Sequence, residues 1–537
     1  MTHPRATGLL VAALSALWAT TALPIVAAAD ETLDAAFAAY WAAETDRELV
    51  SAVDAILATN APVEQVRAKL RAGRTYSDDV PTGRQLLSRQ NRSGVEHAYV
   101  LHVPESYDPA APHPVRVYLH GGVMRPLRTD GEWWPNDTRL AREDALVVFP
   151  VSWPDSIWWQ RSQAENLSGL LNDLKRVYNV DENRVHLLGI SDGATGAYYH
   201  AFKATTPWAG FLPFNGHPVV LANPATGLDS DLHVTNLRNK PFFVVNGAND
   251  RLYPAASVER FMRLFLNAGI FVDFRPQADA GHDMRWWGRE TPRIDAFVRD
   301  TRRQPLPDEL TWETENVEAF NRAHWLVIDE LGAVDGESEL EPFNTLGSSV
   351  ERAPLGIDMV GELQNRPGLM ILEVGQESIA SRAGMMADDI IIEVDGIPTP
   401  DVGAFTDAIV GFSPGQRLPI RIERAGVQLV LTLNYPVDSG GSRPVFPRRR
   451  PSGRVDLTRQ GNTVTASTQG ARRFTLLLSP EQFDFAQPIR VVTNGVVSHD
   501  GVVTPDAATL LRWAAIDQDR SLLFSAELQI EVEPRRR

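Results

Sequence analysis

The chain reads as a multidomain protein. A mixed α/β domain, with a mostly parallel sheet and helices on both faces, precedes β-rich modules. Three observations carry that reading. Apolar strand-like runs at 115–119, 185–190 and 241–245 each end in a glycine-containing loop, and a helix-compatible stretch follows at 194–203. Beyond about residue 307, short alternating or apolar runs separated by turn signals take over. The length of 537 residues, 43% of them hydrophobic, supplies cores for several units.

Residues 1–29 hold Arg5, an apolar run over 9–18 and the small residues 26–29 before Asp30. This is the pattern of a secretory signal peptide, and it predicts a periplasmic or secreted bacterial protein. The apolar run is short for a membrane span. Residues 30–80 are rich in Ala, Leu, Glu and Arg at helical spacing. They predict two or three helices packed on the neighbouring domain or on a partner. The chain has no cysteine, which excludes disulfides and thiol or zinc–thiolate chemistry. Its formal charge of −16 argues against a nucleic-acid binder. No metal-ligand spacing, dinucleotide fingerprint or P-loop occurs, so no cofactor is expected.

The chemistry concentrates in 90–305. Gly189-Ile190-Ser191-Asp192-Gly193 spells G-x-S-x-G between a strand and a helix, a turn that lifts the serine hydroxyl above a sheet. A nucleophilic serine needs a base, a group to orient the base, and donors for the oxyanion. Downstream, the strand 241–245 leads to Asp250, and the run 270–275 leads to Gly281-His282. Gly281 is expected to leave room for His282 to turn over the sheet, and the neutral Asn249 makes Asp250 the acid candidate. Upstream, the strand 115–119 ends in His120-Gly121-Gly122.

These motifs make residues 97–298 resemble an α/β-hydrolase of the secreted esterase and prolyl-oligopeptidase-like kind. The resemblance implies Ser191 as nucleophile, His282 as general base and acid, and Asp250 as orienting acid. Main-chain N–H groups at Gly121, Gly122 and Asp192 would form the oxyanion hole. Asp192 carries an acidic side chain there, which is favourable at a helix N-terminus but adverse if aimed at the oxyanion.

Seven tryptophans, Trp133, Trp134, Trp153, Trp158, Trp159, Trp286 and Trp287, cluster in the loops of this domain. Indoles stack on sugars or aromatic acyl groups, and equally they fill cores. Trp158, Trp159 and Trp286, with His120, are the candidate substrate-pocket residues.

The strands in 307–350 are too few to stand alone and are assigned to a β-sandwich with 453–537, where Asn494-Gly495 marks a hairpin. Between them, Leu355-Gly356-Ile357, the strand 369–374, Ser378-Ile379-Ala380-Ser381-Arg382-Ala383-Gly384 and Asp389 to Gly396 are similar to bacterial PDZ domains over 354–436. Ile379 replaces the usual proline and Asp388 the usual glycine. The resemblance implies a groove that adds a peptide as a strand, with Leu355, Gly356 and Ile357 holding its C-terminal carboxylate. A module that only packs on its neighbour is the other reading. Residues 437–452, rich in Pro and Arg, read as a solvated linker.

The function expected is an exported serine hydrolase cleaving esters, and less readily peptides, with the PDZ module recruiting a peptide or protein partner. The alternatives are a prolyl-oligopeptidase-like peptidase, or an inactive hydrolase scaffold serving as a PDZ binding protein.

Overall fold

Eight strands form the central sheet: β1 (Gly83–Gln90), β2 (Glu96–Val103), β3 (His113–Leu119), β4 (Leu146–Pro150), β5 (Val180–Ile190), β6 (Gly210–Phe214), β7 (Phe242–Gly247) and β8 (Val272–Gln277). Their order is β1-β2-β4-β3-β5-β6-β7-β8. β1–β2 and β2–β4 are antiparallel and every later pair is parallel. This part of the chain has an α/β-hydrolase fold. The computed structural model describes residues 23–223, 226–228, 230–346, 355–360, 363, 366–410, 415–435 and 443–534.

The period of two along each strand divides the core into two layers. Val117, Leu187, Phe211, Phe242 and Val244 face one side, where they meet Leu167, Leu170, Tyr198, Phe202, Val258 and Phe265. Tyr118, Leu188, Leu212, Phe243 and Val245 face the other, against Trp286, Ile294 and Val298. Helices therefore cover both faces, as the sequence predicts for a parallel sheet.

The described residues divide into two compact units, one formed by those within 23–75, 477–488 and 501–528 and the other by the rest. In the first, α1 (Leu23–Ala42), α2 (Asp46–Ala58) and α3 (Val63–Ala72) share a core with the helix Ala507–Asp517. Leu33, Phe37, Tyr40, Ile56, Val66 and Leu70 meet Leu510, Leu511 and Leu523 there. Thr45 and Glu48 close a capping box at the start of α2. The N-terminal helices thus find their apolar partner in the chain's own C-terminal region. Ala507–Asp517 also corrects the expectation of strands alone over 453–537; Asp506 caps it, accepting from Thr509 N at 2.7 Å. α1 runs through the expected cleavage point after residue 29, and residues 1–22 of the signal-peptide reading lie outside the described residues.

In the second unit, α4 (Arg161–Val177), α5 (Asp192–Lys203), α6 (Ala255–Asn267) and α7 (Trp287–Asp300) accompany the central sheet. Beyond it come β9 (Glu309–Thr314), β10 (Arg322–Ala323), β11 (Leu326–Leu331) and β12 (Thr345–Leu346). A module follows with β13 (Ile357–Val360), β14 (Leu369–Val374), α8 (Ile379–Arg382), β15 (Ile390–Val394), β16 (Ile397–Pro398), α9 (Val402–Val410), β17 (Arg417–Arg424) and β18 (Val427–Asn434). Its sheet runs β13-β14-β15-β17-β18, with β13 at the edge. Leu355, Ile371, Ile379, Phe405, Ile420 and Leu433 fill its core. Asp388 takes φ +68°, the left-handed conformation that glycine adopts most cheaply. Residues 347–354 and 436–442 lie outside the described residues.

β19 (Arg443–Pro444) returns from the module and pairs antiparallel with β12, so the entering and leaving chains form a two-stranded neck. After it come β20 (Gly453–Gln460), β21 (Thr463–Gln469), β22 (Ala471–Leu478), β23 (Ile489–Thr493) and β24 (Val496–Gly501). β9 pairs with β20 and β11 with β22, so strands from before and after the module share sheets. The free edge of β9 is covered by amides. Asn236 Nδ2 donates to Glu313 O at 2.9 Å, and Asn239 Nδ2 to Thr311 O at 2.7 Å.

The Pro/Arg segment is not a solvated linker where it is described. Phe446 is buried in the core beside the central sheet, edge-on to Phe202, and Asn344 exchanges two hydrogen bonds with its backbone. The N–H groups of Arg449 and Arg450 both donate to Asp231 Oδ2. One aromatic side chain and fixed backbone donors outweigh the polar composition from which the sequence reading argued.

Candidate active site

The site is assembled where β3, β5, β7 and β8 end. Ser191, between β5 and α5, holds φ +56°, a region costly for a residue with a Cβ. The flanking glycines explain how the turn closes. A Cβ at Gly189 would lie 2.0 Å from Gly193 O, and one at Gly193 would lie 1.9 Å from Leu119 O. Neither position has space for a side chain.

Asp250, fully buried, follows β7, and its Oδ1 accepts from the N–H groups of Leu252 and Tyr253 at 2.8 and 2.9 Å. His282, after β8, lies with Nδ1 2.8 Å from Asp250 Oδ2 and Nε2 3.0 Å from Ser191 Oγ. A carboxylate only accepts, so Nδ1 donates to Asp250 and leaves Nε2 to accept the serine proton. Such a chain can activate the hydroxyl for attack on a carbonyl.

Three features hold the loops together, and the sequence reading missed them. Asn215 Nδ2 donates to Asp283 O at 2.8 Å, bracing the histidine loop from the end of β6. Asn246 Nδ2 donates to Gly216 O at 3.1 Å. The Tyr253 ring stands edge-on 5.7 Å from the His282 ring. An asparagine directly after each of two apolar strand runs was the available signal. Asn249, set aside as an acid, donates to Ala278 O at 3.0 Å and accepts no catalytic role. The glycine that the histidine loop requires is Gly247, whose Cβ would lie 2.4 Å from Ala280 O and Gly281 O. A Cβ at Gly281 would meet only ordinary contacts, which corrects the role expected for it.

The loop His120-Gly121-Gly122 lies against the serine: a Cβ at Gly121 would be 2.9 Å from Ser191 Cβ. Asp192 turns its carboxylate to this loop, accepting from Val123 N at 3.0 Å. Its own N–H opens α5, among the helical donors without an intrahelical partner. His120 is buried. Its Nε2 accepts from Ser152 N at 3.0 Å, so Nδ1 donates to Gly121 O at 2.9 Å. Burial holds its imidazole below the usual value. His120 is thus a neutral brace for the loop rather than a pocket residue.

The tryptophans divide in the same way. Trp158 and Trp286 are 0% exposed and Trp159 is 5% exposed. Trp158 Nε1 donates to His120 O and Trp159 Nε1 to Thr226 O, each at 2.8 Å. With no surface to offer, these indoles pack the core behind the site. Leu355 is also buried, while Gly356 takes φ +73° and Ile357 opens the edge strand β13. Among the described residues, no group of three or more His, Asp or Glu side chains is placed to hold a metal ion.

No protein-family model matches the chain. Over 203 residues it is 26% identical to the bifunctional acetylxylan esterase/xylanase XynS20E of Neocallimastix patriciarum, a match covering 37% of this chain. The chain spans about a quarter of that relative's length (27%). Among solved structures, a thermostable esterase aligns with 18% identity and a TM-score of 0.33, over 41% of this chain and 63% of that one. Dipeptidyl peptidase 4 of Porphyromonas gingivalis aligns with 15% identity and a TM-score of 0.33, over 41% and 35%. No helix among the described residues is long and apolar enough to cross a membrane.

Proposed function

We propose that the chain is an exported serine hydrolase that cleaves carboxylic esters by acyl transfer. The observation that carries the reading is the continuous chain Asp250–His282–Ser191, with contacts of 2.8 and 3.0 Å ending on a serine at φ +56°. His282 takes the hydroxyl proton as Ser191 attacks the carbonyl carbon, then gives it to the leaving alcohol. Water activated by the same imidazole hydrolyses the acyl-enzyme. Asp250 keeps the ring in the required tautomer and balances the imidazolium. The N–H groups at Gly121 or Gly122 and at Asp192 are the donors proposed for the oxygen that becomes negative, and one such donor is worth about 3–4 kcal/mol.

The likeness to an acetylxylan esterase makes acetyl groups on xylan the first substrate class. The 354–436 module is read as a PDZ domain recruiting a protein partner, supported by its edge strand β13 beside the Leu355-Gly356-Ile357 loop. The pairing of β9 with β20 and of β11 with β22 supports a β-sandwich that the module interrupts. Turnover of aryl acetates, acetylated xylo-oligosaccharides, feruloyl sugar esters and peptide amides tests the reading. Acetyl esters should be cleaved fastest, and amide cleavage exceeding ester cleavage would overturn it.

A further inference from the structure

One charge on the loop that backs onto Ser191 is unused by the acyl-transfer chemistry. Arg125 follows the loop His120-Gly121-Gly122-Val123 and is exposed. Gly122, at φ +71°, has no side chain, and the guanidinium of Arg125 takes that space. A Cβ at Gly122 would lie 3.0 Å from Arg125 Nε and 3.2 Å from Cζ. The preceding residue, Gly121, is the one that backs onto Ser191. The cation is therefore held one residue from the backbone that faces the nucleophile.

Other arginines close in the chain to the site residues are paired. Arg128 is bidentate to Asp130, Arg285 pairs with Asp283 at 2.8 Å, and Arg251 faces Asp407 at 3.5 Å. Among the described residues no carboxylate comes within 4.0 Å of Arg125. On a chain of formal charge −16, an unpaired cation beside a nucleophile is a local attractor for anions. Its field also reaches the loop's interior: burial depresses His120 most, the Gly121 carbonyl and the Asp192 carboxylate oppose that, and Arg125 acts with the burial.

We propose that Arg125 is an anion subsite of the active site, taking the carboxylate of an ester substrate that bears one near its scissile carbonyl. The planar guanidinium offers parallel N–H donors that match a carboxylate. An ester on a sugar that also bears a free uronic-acid carboxylate has that chemistry.

The inference rests on Ser191 being the nucleophile, and its test separates the two. The probes are 4-acetoxybenzoate against 4-acetoxybenzamide, and 4-nitrophenyl 4-carboxybenzoate against its carboxamide. The first pair carries the charge on the alcohol side and the second on the acyl side. In the wild type, kcat/KM for the carboxylate member should exceed that for the carboxamide in at least one pair. In R125Q that ratio should fall about tenfold or more, with R125K keeping part of it and salt shrinking it. An unchanged ratio, or equal loss on both members, overturns the subsite. The same pairs are read by calorimetric binding to S191A and to S191A/R125Q. Carboxylate-selective binding that disappears with Arg125, but without turnover by the wild type, would overturn the hydrolase reading alone. Binding indifferent to Arg125 would overturn the subsite.

Discussion

Two acid–histidine pairs in this molecule have nearly the same geometry and opposite surroundings. His282 lies 2.8 Å from Asp250, and His233 lies 2.9 Å from Glu315. The Asp250 side chain is 0% exposed and His282 29%, so the first pair opens at one end, where its second nitrogen meets the hydroxyl of Ser191. The second pair is sealed, with Glu315, His233 and Lys203 side chains at 1%, 0% and 2% exposure. Lys203 reaches both Glu315 oxygens at 3.0 Å. His233 Nδ1 faces Glu313 Oε1 at 3.3 Å, off the line of a hydrogen bond, and Arg448 pairs with the same carboxylate.

An acid–histidine contact therefore does not by itself define a site. What stands on the far nitrogen, and whether a substrate can reach it, decides its role. The sealed cluster joins β9 and the 443–452 segment to the central-sheet domain; the open one ends on a strained serine.

Breaking the open pair should give the largest effects, all on turnover. S191A or H282A should lower kcat on an aryl acetate by roughly 10⁴-fold or more, with little change in the thermal midpoint. D250N should cost on the order of 10³- to 10⁴-fold, because an amide oxygen and nitrogen no longer impose one tautomer. Steady-state kinetics alongside thermal melts separates these from unfolding.

Breaking the sealed pair should move stability instead. E315Q removes the carboxylate that Lys203 and His233 share, and removing one partner of a buried pair costs about 3–5 kcal/mol. Denaturant titration should find that loss, while kcat/KM per folded molecule stays within about twofold. A turnover defect as large as that of D250N would erase the distinction between the two pairs.

A smaller effect sharpens the open site. Asp192 acts through Val123 N and is a positioning residue, so D192A should lower kcat by about 10- to 100-fold with KM little changed. D192N keeps an oxygen acceptor and should recover most of it.

The smallest effect is on pH. Burial alone would raise Glu313 and Glu315, but His233 outweighs it, with Arg448 beside Glu313 and Lys203 beside Glu315, and both fall to about 2. Their stabilisation is present above the ordinary value of 4.5 and is lost as pH falls toward 2. Burial opposes charge on His233 too, yet Glu313 and Glu315 raise it above 6.5. Its contribution is full below 6.5 and is lost as pH rises through the raised value. The wild-type thermal midpoint should therefore decline on both sides of that window. E315Q should show a shallower acid limb.

The sequence carried most of the open site, because Ser191, Asp250 and His282 each stand at the end of an apolar strand run in a short, ordered span. The sealed cluster was illegible: Lys203 and Glu315 lie 112 residues apart, and charged residues in a sequence say nothing about burial. Composition misled in two places. Arginine and proline suggested a solvated linker, yet Phe446 anchors it; tryptophans suggested a pocket, yet Trp158 and Trp286 fill the core. Ala507–Asp517 was missed because its apolar stretch is short and lies among strands.

The central claim is that the open pair makes Ser191 a nucleophile, and a fluorophosphonate probe with peptide mapping tests it most directly. The folded wild type should be labelled on Ser191, and S191A and H282A should stay unlabelled while E315Q is labelled like the wild type. A folded wild type that resists the probe, or carries the label on another residue, would contradict the account.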